Sequence, residues 1–238
     1  MLPGKFSDVQ VQHTHAIEGE GQTISIYMRL PDHASPKSPV PIILQIFGLD
    51  GYRTESTDLA TECLERGWGN LAVEIPGTGD CPALKQDPLA AERLWSSLLD
   101  WMDAQEELDA KRRVAWGLST GGYYAMRLAH THRERLVAVV AQGGGCHRMF
   151  DGEWIDKVGL LEYPFEWASL SGYCWNVAYK KQSLSECLAE KWGYSTVDAM
   201  KEDAMARFSL LKNGILNQPS TRLLLINVSP WPPWKIDF

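Results

Sequence analysis

The stretch "RRVAWGLSTGGYYAMRLAHTH", residues 112–132, runs from an apolar segment through a glycine-flanked serine into a helix-like pattern. "VAWGL" has the character of a strand covered on both faces, and "TGGYYAMRLAHTH" reads as the helix that leaves it. The pentapeptide from Gly117 to Gly121, with Ser119 at its centre, has the form G-x-S-x-G. At ordinary glycine and serine frequencies this pattern arises by chance about 0.08 times in a chain of this length. Its setting says more: strand, sharp turn, helix is the context of a nucleophile elbow. The flanking glycines allow the turn and the close helix–strand packing that lift Ser119 out at the C-terminal edge of a sheet. The plainer alternative is a serine that only N-caps a helix.

Outward from this junction the chain alternates. "TISIYMRL" (23–30) alternates polar and apolar residues and is expected as a half-buried antiparallel edge strand, and "VPIILQIFG" (40–48) as a buried strand. "ESTDLATECLERG" (55–67) reads as a helix ended by glycine. "NLAVEIPG" as strand, "DPLAAERLWSSLLDWMDAQ" as helix and "RLVAVVAQGG" as strand continue the order, and "STRLLLINV" (220–228) returns to a buried strand. Strand and helix in alternation imply a parallel, doubly wound α/β sheet. From residue 151 the chain is rich in Trp and Tyr and reads as short helices without strands. The expected organisation is a single domain over 1–238 with a helical cap over 151–215.

Composition sets the functional bounds. With 45% hydrophobic and 22% charged residues the chain is an ordinary globular protein. Its formal net charge of -7 offers no attraction to polyanions, so nucleic acid is not an expected partner. Five cysteines without C-x-x-C spacing read as reduced thiols. No apolar run approaches the roughly 18 residues of a membrane span, and the N-terminus lacks a signal-type apolar stretch, so the expected location is cytoplasmic, with no membrane partner.

An oxyanion hole needs two backbone N–H donors. One falls to Thr120, which follows Ser119 at a helix N-terminus. The other falls to "FGLDGYR" (47–53), with Leu49 or Asp50 as donor; a plain Gly/Asp turn is the alternative. His13 and His15 would share a strand face; as two ligands without a third they make a poor zinc site, and a solvent-facing pair is the plainer alternative. No metal and no cofactor are expected.

"FGLDGYRTE", "EIPGTGDCP", "RLWSSLLDW", "AWGLSTGGYYAMRLAHTH" and "VVAQGGGCHRMFDGEW" in this order resemble the fungal yellowish-green pigment hydrolases. These are α/β-hydrolases related to the fermentation-respiration-switch esterases. The resemblance covers roughly residues 8 to 225. It implies an α/β-hydrolase fold and cofactor-free retro-Claisen C–C cleavage, through an acyl-serine, of a small-molecule polyketide or aryl β-dicarbonyl in pigment or mycotoxin biosynthesis. By match, Ser119 is the nucleophile, and Thr120 with the "GLDG" loop forms the oxyanion hole.

After its last apolar strand that family continues N-G-x-x-D, which places a triad acid, and later supplies a histidine. This chain reads "INVSPWPPWKIDF" there, with Trp231 at the acid's place and Asp237 as the tail's only acid. The expectation is a C-terminally truncated fold, exposed at its last strand and prone to homo-oligomerise. His130 and His132 lie 11 and 13 residues along the helix, roughly 16 to 20 Å from Ser119, and are expected at the surface. His147, in "QGGGCH", follows the next strand at the active edge and is the candidate surrogate base, with pocket lining or cap positioning as its other role. The competing reading is a catalytically inactive remnant of such an enzyme.

Overall fold

The protein was analysed as a computed structural model that describes residues 4–160, 162–163 and 182–226. Its centre is a seven-stranded sheet. β1 (Lys5–Gln12) and β2 (Thr23–Leu30) form an antiparallel hairpin, and β3 (Val40–Ile46), β4 (Gly69–Val73), β5 (Leu108–Leu118), β6 (Ala138–Gln142) and β9 (Arg222–Ile226) follow. The spatial order is β1-β2-β4-β3-β5-β6-β9, with every pair from β4 to β9 parallel.

The chain steps one way from β3 through α1 (Thr57–Glu65) to β4. It then steps the other way from β4 through α2 (Ala90–Asp103) to β5, and through α3 (Thr120–Thr131) to β6. Right-handed crossovers in opposite directions place α1 on one face and α2 and α3 on the other, which is the doubly wound arrangement the alternation implies. The reversal falls between the adjacent strands β3 and β5, and open α/β sheets bind ligands beyond the C-terminal ends of strands at such a reversal.

β4 is buried at every position, and the α2 face that meets the sheet supplies Leu94, Trp95, Leu98, Leu99 and Met102, none with accessible surface. α2 and α3 are also tied by a part-buried ion pair, the buried Arg127 donating through Nε to Glu92 Oε1 at 2.7 Å.

Between β6 and β9 lie α4 (Gly152–Val158), α5 (Leu184–Lys191) and α6 (Val197–Phe208). Each begins at a side-chain cap: Asp151, Ser183 in a reciprocal capping box with Glu186, and Thr196. Trp192, at the end of α5, stacks on Tyr124 of α3 at 5.7 Å and meets Tyr123, Phe150 and Phe208 edge-on or tilted. Tyr123 Oη donates to the Phe208 carbonyl at 2.8 Å. These helices are therefore fastened to α3, the helix that follows Ser119.

Several expectations need correction. "TISIYMRL" is an inner strand, because "KFSDVQVQ" also alternates and pairs outside it from Lys5↔Leu30 to Gln12↔Thr23. His13 and His15 are not on a strand, since β1 ends at Gln12 and the chain turns. The region after residue 151 is not free of strands: β7 (Glu162–Tyr163) and β8 (Gln182–Ser183) pair antiparallel. β9 is not buried; Leu224 is 56% and Leu225 46% exposed, because among the described residues β9 pairs only with β6. The aromatic-rich stretch 164–181, and the tail 227–238 with Asp237, lie outside the described residues.

Candidate active site

β5 ends at Leu118 and α3 starts at Thr120, leaving Ser119 alone at the turn. Its backbone stands at φ 53°, ψ -126°, the only positive φ among the described residues that are not glycine. A side chain held there costs about 1–3 kcal/mol and persists where the surrounding structure dictates it. The dictation is visible in the neighbouring glycines. A Cβ on Gly117 would collide with the Gly121 carbonyl, and a Cβ on Gly121 with the Ile46 and Phe47 carbonyls. The first turn of α3 is thus pressed onto the ends of β5 and β3 together. Ser119 N donates to the Gln142 carbonyl at 2.8 Å and its own carbonyl accepts from Gly122 N at 2.7 Å. Its hydroxyl caps nothing and stays exposed, so the N-cap alternative does not describe it.

The loop after β3 runs directly past this serine. Ile46 pairs with Gly117, and a Cβ added to Gly48 would stand 3.1 Å from Ser119 Cβ and 3.5 Å from its Oγ. With the Leu118 carbonyl 3.0 Å away as well, any side chain there would press the loop away from the serine. Leu49 is buried and Asp50 exposed beyond it. The backbone N–H groups of Leu49, Asp50 and Thr120 make no hydrogen bond among the described residues. Ser119, Thr120 and the loop that carries Leu49 and Asp50 therefore lie together at the C-terminal ends of β3 and β5, where the strand order reverses. Thr120 adds the positive end of the α3 dipole. On α5, burial pushes the Lys191 ammonium below its usual range, while carboxylates including Glu190 and Asp50 act to hold it up.

No histidine or carboxylate hydrogen-bonds Ser119 Oγ among the described residues. His147 Nδ1 lies 2.7 Å from the hydroxyl of the fully buried Ser209, which also accepts from Lys212 N, so this imidazole joins the β6 loop to the segment after α6. His130 Nδ1 meets the Gln218 carbonyl at 2.7 Å. His132, expected at the surface, is half-buried. It lies between Ser96 and Thr131, at 3.0 and 2.9 Å, because α2 packs across the end of α3. His13 is buried against Ser97, 2.8 Å away, and no group of three metal-ligating side chains occurs among the described residues.

Sequence reading passed over the polar residues beneath the loop: Arg53, Glu74, Thr78 and Asp80. Their signal was present as a lone carboxylate ending the apolar run "NLAVE" and an arginine just past "FGLDGY".

The chain is 26% identical over 130 residues to the 2,6-dihydropseudooxynicotine hydrolase of Paenarthrobacter nicotinovorans, covering 55% of this chain and 34% of that one. It is 30% identical over 122 residues to the hydrolase ffsE of Aspergillus flavipes, covering 45% and 27%. The chain thus spans about a third or less of the length of these relatives. Among solved structures, AbyA5 superposes with a TM-score of 0.63 at 16% identity, covering 96% of this chain and 65% of that one. That likeness shows the α/β-hydrolase fold. The Esterase FrsA-like family matches residues 5–158, which carry the elbow, the Gly48 loop and most of the sheet, and the chain belongs to that family.

Proposed function

We propose that the chain carries the nucleophile and oxyanion halves of a serine hydrolase, acting on a small-molecule polyketide or aryl β-dicarbonyl as in the fungal pigment hydrolases. The observation that carries this reading is the strained Ser119 backbone beside the Gly48 loop. Ser119 Oγ attacks the acyl carbon and its proton passes to a base. The carbonyl oxygen becomes an oxyanion between Thr120 N–H and the N–H of Leu49 or Asp50. As the tetrahedral adduct collapses, the C–C bond to the neighbouring carbon breaks. Its electron pair leaves as a resonance-stabilised enolate that takes a proton. Water then hydrolyses the acyl-serine. The helices between β6 and β9 act as the cap over this site, with His147 holding them in place through Ser209. The reaction needs no cofactor, and the free thiols of Cys63, Cys81 and Cys146 suit a cytoplasmic setting. No helix among the described residues is long and apolar enough to cross a membrane.

One observation favours a second reading, an inactive chain: the absence of a base or acid on Ser119 Oγ among the described residues. A serine site with only its oxyanion hole and binding contacts retains about 10³ to 10⁴-fold acceleration over water. The expected result is therefore slow turnover of an activated aryl ester and slow labelling by a fluorophosphonate. Labelling should vanish in Ser119→Ala, and both labelling and turnover should change little in His147→Ala. Labelling that survives Ser119→Ala removes Ser119 from the chemistry, and a fast rate that collapses in His147→Ala makes that histidine the base.

A further inference from the structure

The loop that carries the proposed oxyanion donors is held by a polar clamp that the chemistry above does not use. At its middle, Thr78 Oγ1 donates to the Leu49 carbonyl at 3.3 Å. At its far end, Arg53 is gripped twice by one carboxylate. Its backbone N–H donates to Glu74 Oε1 at 3.0 Å, and its Nη1 to Glu74 Oε2 at 2.5 Å. The guanidinium then bridges to Asp80, Nη1 to Oδ1 at 2.5 Å and Nη2 to Oδ2 at 3.0 Å, and lies 5.2 Å over the Tyr27 ring. Ser25 Oγ donates to Asp80 from the other side at 2.9 Å.

Glu74 directly follows β4 and is 3% exposed. A buried ion pair is a poor source of stability, because desolvation offsets much of the attraction and an apolar pair of similar volume often serves as well. What this one supplies is direction. A carboxylate that accepts from both the main chain and the side chain of Arg53 fixes where that residue's nitrogen lies. It thereby fixes the path of the four residues back to Gly48, which is already pressed against Ser119. Oxyanion donors act only when aimed at the position the charge will occupy, and a misplacement of about 1 Å can cost roughly 10²-fold in rate.

We propose that Arg53 and Glu74 are positioning residues that hold the Leu49 and Asp50 N–H groups at the oxyanion position beside Ser119. The inference rests on the nucleophile reading of Ser119. Neither residue touches the reacting atoms.

The test is saturation kinetics of an alkyl fluorophosphonate on the full chain. In that reaction Ser119 Oγ bonds to phosphorus, the P–F bond breaks, fluoride leaves with the electron pair and the hydroxyl proton passes to solvent. The phosphoryl oxygen takes the oxyanion position, so the bond-forming constant kinact reads the donors while KI reads binding. Glu74→Gln, nearly isosteric, should lower kinact about tenfold, and Arg53→Gln about 100-fold, each with KI within about twofold of wild type. Arg53→Lys, which keeps the charge but cannot grip both carboxylates, should fall between wild type and Arg53→Gln. Asp109→Asn, a surface change beside Arg112, should change nothing. Thermal melts identify variants that fold; if Arg53→Gln does not, Glu74→Gln and Arg53→Lys carry the test. Folded variants with kinact within twofold of wild type, or a loss confined to KI, overturn the positioning role alone. A wild-type chain that takes no label at Ser119 overturns the nucleophile reading and this inference with it.

Discussion

At Ser119 and His132 single residues carry costs set by their surroundings. Replacing Ser119 by glycine removes the side chain from a backbone conformation that glycine adopts freely. Ser119→Gly should therefore raise stability by about 1–2 kcal/mol, or roughly 2–8 °C in melting midpoint for a chain of this size. A midpoint at or below wild type would show that no strain is stored there. His132 shows the opposite burden. Thr131 Oγ1 already donates to the Arg127 carbonyl, so it accepts from His132 Nδ1–H, and Ser96 donates to Nε2. The ring is held neutral, and burial pushes its pKa down to about 4, with Arg135 adding to the effect. Below its ordinary value near 6.5 the unfolded chain takes up a proton that the folded chain refuses. Stability is then fully present above about pH 6.5 and is lost as pH falls toward 4, by up to about 3 kcal/mol. Denaturant melts from pH 7 to 4 should show this loss, and His132→Gln should flatten it. If the slope survives the substitution, another group is responsible. The two residues differ in legibility. Gly117 and Gly121 announce the elbow within five letters, whereas Ser96, which buries His132, stands 36 positions away on another helix.

Among the elements, β5 and α3 were the most legible and β9 the least. An apolar run such as "RLLLINV" states that a strand wants cover, but says nothing about whether a neighbour supplies it. β9 has β6 on one side, and Leu224 and Leu225 keep about half their surface in solvent on its opposite faces. An exposed apolar edge of this kind invites pairing with another chain. The protein should therefore self-associate, with a sedimentation mass that rises with concentration. The double change Leu224→Lys and Leu225→Lys should shift it toward monomer, because lysines blunt an edge. A wild-type chain that stays monomeric through tens of micromolar would contradict this. "TISIYMRL" was misplaced for a related reason: alternation marks one solvent-facing side, not the rank of a strand within the sheet. β1 took the edge because its own alternating residues pair along all of β2.

Across the whole molecule, the sheet order locates the chemistry more firmly than any motif. β3 and β5 flank the reversal, so the Gly48 loop and Ser119 had to meet once both strands were assigned. That much was legible, since the alternation of elements and the crossover rule together imply it. The clamp of Arg53 on Glu74 and Asp80 was not, because those residues come from two separate connections, β3 to α1 and β4 to α2, that approach only in the folded chain. The attachment of α5 and α6 to α3 through Trp192 and Tyr123 was hidden in the same way: aromatic letters forecast burial, not partners. The strain at Ser119 also carries a historical meaning. Most substitutions destabilise, and selection removes only those that matter to a working protein. On the proposed nucleophile reading of Ser119, the change that ends the chemistry also relaxes the backbone, so a lineage released from catalysis has nothing to lose at this site and stability to gain. Serine at 119 is then a record of descent under use, and glycine at the corresponding place in a sister sequence would mark the branch where that use ceased.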